Sequence, residues 1–194
     1  MHDLAINPSP RTSTATWRRS TLRWLVTFIG FPLGGFAADV LTGPVDGLRA
    51  ALLGGLITGT ILGAVQAWGF GPGRPSAGRW IVATAIGLMA GLGIGAAAVD
   101  YRTSLSALVV QGAICGIAVG AGQAVVLWGR LGRLALAWPL ALGAIWAAGW
   151  AVTTSIGVQV DDQFTVFGSS GAIVVTVLTA VLPFVVKRRE TSAS

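Results

Sequence analysis

The segment GLITGTILGAVQ, residues 55–66, has a counterpart in GAICGIAVGAGQ at residues 112–123. Both segments place glycine at every fourth position and end on a glutamine, and the offset between them is 57 residues. Glycines four residues apart lie on one face of an α-helix, where they let a second helix backbone approach closely in lipid. The two segments therefore predict equivalent, tightly packed membrane helices.

The composition of the whole chain indicates the same class of protein. Of 194 residues 54% are hydrophobic, 10% are charged and 28 are glycine, and the mean hydropathy is +0.76. Soluble globular domains carry about 25% charged residues, and the single cysteine leaves no pair for a disulfide framework. These values exclude soluble enzymes, disordered chains and coiled coils, and they leave a small polytopic membrane protein.

Apolar runs of about the length that a membrane-spanning helix needs, roughly 20 residues, occur along most of the chain. None of them alternates with a period of two, as the strands of a membrane barrel would. We therefore predict an all-α integral membrane protein with six transmembrane helices, at about residues 23–38, 48–70, 80–99, 105–128, 134–158 and 164–186.

Tryptophans extend the repeat to a third copy. Trp24, Trp80 and Trp138 each open an odd-numbered run, at spacings of 56 and 58 residues. The third copy has Leu182 where the first two have glutamine. We predict three tandem helical hairpins with pseudo-threefold symmetry about the membrane normal, at residues 23–70, 79–128 and 137–187.

The order of these motifs resembles a loose set of small bacterial polytopic membrane proteins. The resemblance covers about residues 23–186, and it implies a fold without an activity, because none is known for that set. Mitochondrial carriers also contain three hairpins, but their signature of proline, an acidic residue and a basic residue is missing. Pro32 is followed by Leu33 and Gly34, and Pro139 by Leu140 and Ala141.

The basic residues predict the orientation. Eleven of the 13 lie in the N-terminal segment, the second and fourth loops and the C-terminal tail. By the positive-inside rule both termini are cytoplasmic, and we expect a multi-pass protein of the bacterial inner membrane. Basic residues scattered over several loops argue against nucleic-acid binding. The predicted divisions are a flexible N-terminal tail at 1–20, the transmembrane domain at 21–187 and a C-terminal tail at 188–194.

A cleaved leader containing Arg18 and Arg19 is the alternative interpretation of the first run. The repeat argues against it, because the first hairpin needs that run as a permanent helix.

The candidate ligand-binding residues are polar or aromatic side chains inside the predicted spans. Gln66 and Gln123 face the bundle interior, because an unbonded amide is unfavourable in hydrocarbon. They either bond to neighbouring helices, including each other, or line a ligand cavity. Trp146 and Trp150 lie one turn apart on the fifth helix, where they either pack against apolar groups or form a stacking wall for a flat ligand.

Acidic residues mark the predicted outer turns. Asp39, Asp100 and Asp162 are each followed three residues later by threonine. Their first interpretation is helix N-capping. The alternative is a ring of carboxylates, including Asp161, that attracts cations at a pore mouth.

Catalytic signals are weak. Residues 168–171, Gly-Ser-Ser-Gly, are similar to the Gly-x-Ser-Gly of rhomboid-type intramembrane proteases, but the only histidine is His2, which leaves the serine without a base. Cys115 has no partner for a metal site. We therefore predict no enzyme activity, no metal and no cofactor.

Two functional hypotheses follow. The first is a binding or transport module for a small neutral or apolar ligand along the repeat axis. The alternative is a non-catalytic accessory or scaffold subunit of a larger membrane complex, for example a substrate-binding subunit of an energy-coupling-factor importer, by analogy of size and helix number. Its docking face would be Gly30, Gly34 and Ala38. The expected partners are membrane lipids and, through glycine-rich faces, a second copy or another subunit.

Overall fold

The computed structural model describes residues 11–71, 75–156 and 168–191, with side chains at 18–71, 75–156 and 168–186. Within these ranges the chain is helical and contains no strand. Two short 3-10 helices, Thr27–Ile29 and Gly132–Ala137, join α1 to α2 and α5 to α6. The α-helices are α1 Arg11–Val26, α2 Gly30–Thr42, α3 Leu48–Gly69, α4 Ala77–Ala98, α5 Leu105–Leu131, α6 Trp138–Ser155, α7 Ser169–Thr179 and α8 Leu182–Thr191.

Five helical stretches are long and apolar enough to cross a membrane, which makes the protein an all-helical chain with membrane-spanning character. Four of them contain 18 to 25 residues, whereas Leu105–Ser155 contains 51. At 1.5 Å per residue a straight helix of that length would measure about 75 Å, more than twice the hydrocarbon thickness of a bilayer. This stretch bends back at Gly132, whose φ is +53°, so that α6 returns along α5.

The contacts of glycines show that neighbouring helices run antiparallel. A methyl carbon added to Gly120 would lie 2.6 Å from Pro139 Cα, and one added to Gly116 would lie 2.8 Å from Gly143 Cα. Residue numbers therefore rise along α5 as they fall along α6. Because an added carbon would come this close to backbone atoms, the two helix backbones are in direct contact and only glycine fits at these crossings.

The same close approach occurs at the other crossings. A methyl carbon added to Gly59 of α3 would lie 2.7 Å from Ala85 Cα of α4, and one added to Gly87 of α4 would lie 2.7 Å from Val119 Cα of α5. Gly34 of α2 packs on Thr58 of α3, whose hydroxyl donates to the Gly34 carbonyl at 3.0 Å.

The helices form a closed ring in chain order. Each helix from α2 to α6 packs against the next one, and α7 returns to contact α1, α2 and the 3-10 helix between them. Phe31 of α2 and Trp146 of α6 meet inside the ring, with their ring centroids 5.8 Å apart. The interior is therefore filled by side chains from opposite parts of the sequence.

Two apolar clusters divide the interior. The larger one contains Phe31, Leu88, Val119 and Trp146. The smaller one contains Trp24, Phe70 and Trp80. The ring of Phe70 packs edge to face on each of the two tryptophans, with centroids 4.9 Å apart in both pairs. We call the end of the bundle around the smaller cluster the basic end, since it carries Arg18, Arg19, Arg23, Arg79, Arg130 and Arg133.

Several boundaries differ from the predicted ones. The first helical segment begins at Arg11, inside the predicted flexible tail, and α2 continues to Thr42. The predicted sixth helix is divided into α7 and α8, because Pro183 has no N–H to donate to the Thr179 carbonyl. Residues 1–10 and 157–167, which include the predicted start of that sixth helix, lie outside the described residues.

Candidate functional site

Gln66 and Gln123, which lie 57 residues apart in sequence, meet inside the bundle near the basic end. Gln123 Nε2 donates to Gln66 Oε1 at 3.4 Å and to the Thr84 hydroxyl at 3.1 Å. Gln123 is 2% exposed. Gln66 and Gln123 are thus in direct contact with each other, which is one of the arrangements that the sequence left open.

Tryptophans that open the odd-numbered predicted spans donate to these glutamines. Trp80 Nε1 donates to Gln66 Oε1 at 3.1 Å, and Trp138 Nε1 donates to Gln123 Oε1 at 2.8 Å. A buried indole N–H needs an acceptor, and the two amide oxygens supply it. The two glutamines therefore hold the start of α4 and the start of α6 against the preceding helices.

A third indole is bonded differently. Trp24 Nε1 donates to Thr179 Oγ1 at 3.1 Å, and the hydroxyl of Thr179 in turn donates to the Val175 carbonyl at 2.8 Å. Leu182, the residue aligned with the glutamines, is buried in the smaller apolar cluster. The acceptor for Trp24 thus lies one helical turn before the position that the sequence aligns with the glutamines.

The space at the centre of this polar cluster is very small. It measures about 10 Å³, and its walls include Gln66, Gln123, Trp146 and Thr179. A cavity of about 10–15 Å³ holds one water molecule, whereas drug-sized ligands occupy about 300–1,000 Å³. The arrangement can therefore accommodate a single water beside the indoles and amides, and no organic ligand.

The predicted aromatic wall is part of the filled interior. Trp146 and Trp150 are each 2% exposed. Trp146 packs edge to face on Phe31, and Trp150 contacts Gly112 of α5. Both rings fill helix crossings.

The acidic candidates do not act as N-caps where they are described, so that prediction was wrong. Asp39 lies in the last turn of α2, because this helix continues to Thr42. Asp100 follows α4 with a φ of +55°, and the cap of α5 is Ser104, whose hydroxyl accepts from the Ala107 amide at 3.4 Å. Asp39 and Asp100 are exposed; Asp161 and Asp162 lie outside the described residues.

The described residues contain no group of three or more His, Cys, Asp or Glu side chains that could hold a metal ion. Cys115 is a buried free thiol. Ser170 lies 3.4 Å from the Thr153 hydroxyl, a pair that supplies no base. The described part of the chain therefore presents no catalytic constellation of the kinds that the sequence suggested.

A second space, which sequence reasoning missed, opens on the outside of the bundle at the basic end. It is a groove of about 720 Å³ between the start of α4 and the end of α5. Two Gly-Arg pairs border it, Gly78-Arg79 and Gly129-Arg130. Gly78 and Gly129 do not belong to the series of glycines four residues apart, and this was a sequence signal for the groove. It was missed because a glycine adds nothing to the hydrophobic periodicity of a helix.

Comparisons of this chain with protein-family models, with curated protein sequences and with solved structures give no match.

Proposed function

We propose that the protein is a non-catalytic accessory or scaffold subunit of a membrane assembly. The observation that supports this proposal is the filled axis, where only about 10 Å³ remains between the glutamines and the tryptophans. The other hypothesis, an axial site for a small neutral or apolar ligand, needs a space of several hundred Å³. Hydrogen bonds of Gln66 and Gln123 within the bundle also explain why amides occur inside the spans.

We further propose that the ring contains six membrane-spanning segments, arranged as three helical hairpins around one axis. The support is the order of the indole bonds. Trp80 bonds to α3, Trp138 bonds to α5, and Trp24 bonds to α7, so each tryptophan joins the start of one hairpin to the end of another. A rotation of about 120° that superposes residues 23–70 on 79–128 and on 137–187 would test this arrangement in an experimental structure.

The basic end is the cytoplasmic end in this proposal, with both termini on that side of a bacterial inner membrane. Ser76 and Asp100 are exposed at opposite ends of α4, and each is suitable for replacement by cysteine in a Cys115→Ala background. A membrane-impermeant thiol reagent added outside should label the cysteine at position 100 and leave the one at 76 unlabelled. The reverse pattern would overturn the orientation.

The docking surface cannot be the face of Gly30, Gly34 and Ala38, since all three are buried inside the bundle. Gly30 lies against Leu62 and Gly34 against Thr58 of α3. Exposed apolar side chains offer two alternative surfaces, one on α2 with Phe36 69% exposed and one on α6 with Leu140 71% exposed. A partner membrane protein or a second copy would bind there.

The test combines a transport assay with cross-linking. Proteoliposomes of the purified chain should take up small neutral solutes no faster than protein-free liposomes. A photoreactive phenylalanine analogue at position 36 or 140 should give one discrete adduct in native membranes, and the same variants in pure lipid should give none. Saturable uptake that is lost on Gln123→Leu would contradict the proposal and would establish an axial pathway.

A further inference from the structure

The groove at the basic end lies where α4 and α5 stop touching. The helices are in contact at Gly122, where an added methyl carbon would lie 2.7 Å from the Ala83 carbonyl oxygen. Beyond this contact the backbone that leads into α4, from Pro75 to Gly78, and the last turn of α5 separate, and about 720 Å³ opens between them. This volume falls within the range of small-molecule sites, about 300–1,000 Å³.

Two glycines keep the groove open. A methyl carbon added to Gly78 or to Gly129 would meet nothing within 4 Å, so neither residue is required by a helix crossing. Glycine inside a helix is less favourable than alanine by about 0.5–1 kcal/mol. Gly129, within α5, is thus less favourable for its helix than alanine, and together with Gly78 in the first turn of α4 it leaves room in the groove.

The walls of the groove combine an apolar surface with positive charge. Val82 and Val125 are 55% and 78% exposed, and Arg79 and Arg130 border the same space. Long basic side chains at the ends of membrane helices reach the headgroup level while their stems stay along apolar surface.

The start of α4 adds to the positive potential. Its N-cap residue is Ser76, and within the described residues the Ser76 side chain accepts no hydrogen bond from the first turn. By contrast, Ser104 caps α5 through the Ala107 amide. The partial positive charge of an uncapped helix N-terminus favours an anion nearby, in the same space as the two arginines.

We propose that this groove binds one anionic phospholipid. Its phosphate lies between Arg79 and Arg130, where guanidinium groups form charge-assisted hydrogen bonds, and one acyl chain runs along Val82 and Val125. The apolar wall distinguishes this occupant from free phosphate, and the two arginines distinguish it from a neutral lipid. The proposal is independent of the subunit role, because it requires only that α4 and α5 face lipid.

The test is lipid binding by the purified, delipidated full-length chain, measured by native mass spectrometry and by melting temperature in detergent. Dioleoylphosphatidylglycerol should bind at least tenfold more tightly than dioleoylphosphatidylcholine and raise the melting temperature, and soluble glycerol phosphate should do neither. The double variant Arg79→Gln/Arg130→Gln should lose the preference. The matched control Arg19→Gln/Arg133→Gln removes two exposed charges of the same end and should keep it.

Gly129→Leu provides a second variant that preserves both arginines. Its side chain would enter the groove without meeting a neighbour, and leucine favours the helix over glycine, so the melting temperature without lipid should not fall while phosphatidylglycerol binding falls at least tenfold. Equal binding of the two lipids by the wild type would overturn the proposal and leave the groove to a protein helix. Full binding by Gly129→Leu would overturn it as well.

Discussion

Two faces of α5 use glycine in opposite ways. Toward α6, Gly116 lies against the backbone at Leu142 and Gly143, and a methyl carbon has no space there. Toward the groove, Gly129 has no neighbour within 4 Å of an added methyl carbon. The difference shows that the same residue type serves close packing in one place and open space in another, and that spacing along the helix separates the two uses.

The largest expected effect is on the packed face. Gly116→Leu forces α6 away from α5, because the atoms in contact are backbone atoms that have no rotamer to change. Overpacking of this kind destabilises by about 3 kcal/mol, and we expect a strong fall of the melting temperature in detergent. The same substitution at Gly129 is the control and should not lower the melting temperature, because no neighbour lies within 4 Å of the added methyl carbon; similar losses for both variants would remove the distinction between the two faces.

The next effect concerns the polar residue on the packed side. Gln123→Leu removes the acceptor of Trp138 and the donor to Gln66 and Thr84. Trp138 is partly buried, and leaving its indole N–H without an acceptor, together with the loss of the two bonds that the Gln123 amide donates, costs about 1–3 kcal/mol, more than the average interhelical bond of about 0.6 kcal/mol in a membrane protein.

The double variant Gln123→Leu/Trp138→Phe gives the control for this loss. Because it removes the indole donor together with its acceptor, part of the melting temperature should return. If instead the losses of Gln123→Leu and of Trp138→Phe add up fully in the double variant, the two side chains act independently.

A smaller loss is expected at the third indole. Thr179→Val keeps the shape of the side chain but removes the acceptor of Trp24, which is 1% exposed. We expect a destabilisation of about 1 kcal/mol, seen as a lower melting temperature. Thr60→Val is the control, since the Thr60 hydroxyl is exposed and bonds only its own helix at the Leu56 carbonyl. An equal change in both variants would contradict the role of Thr179.

The smallest effect is a gain on the open face. Gly129→Ala should stabilise α5 by about 0.5 kcal/mol through helix propensity alone, and the melting temperature should rise slightly. Gly122→Ala should lower it, because its methyl carbon would lie 2.7 Å from the Ala83 carbonyl oxygen. A loss of stability in Gly129→Ala would mean that the groove is closed in solution.

The sequence was informative where a local period carries the information. Glycines four residues apart locate the helix crossings, and the recurring glutamine predicts an amide pair, because both signals depend only on positions along one helix. The break between α7 and α8 also had a local signal in Pro183.

Other features depend on contacts that one helix does not encode. The third acceptor, Thr179, lies three residues before the aligned Leu182, and only the position of Trp24 on another helix identifies it. The capping prediction for Asp39 failed because α2 continues past its predicted end. The groove was missed because the space depends on Gly78 and Gly129, which have no side chains and so leave no hydrophobic pattern in the sequence.

The bond between Trp24 and Thr179 joins residues 155 positions apart, and this separation has a consequence for biosynthesis. At about 5–20 residues per second, a ribosome needs roughly 8–30 s to reach Thr179 after Trp24 has been added. During that interval α1 and α2 lack their contacts with α7, and the ring of helices stays open at this seam. Closure of the ring is thus an event that follows synthesis of the seventh helix, and a chain truncated before it retains the seam permanently.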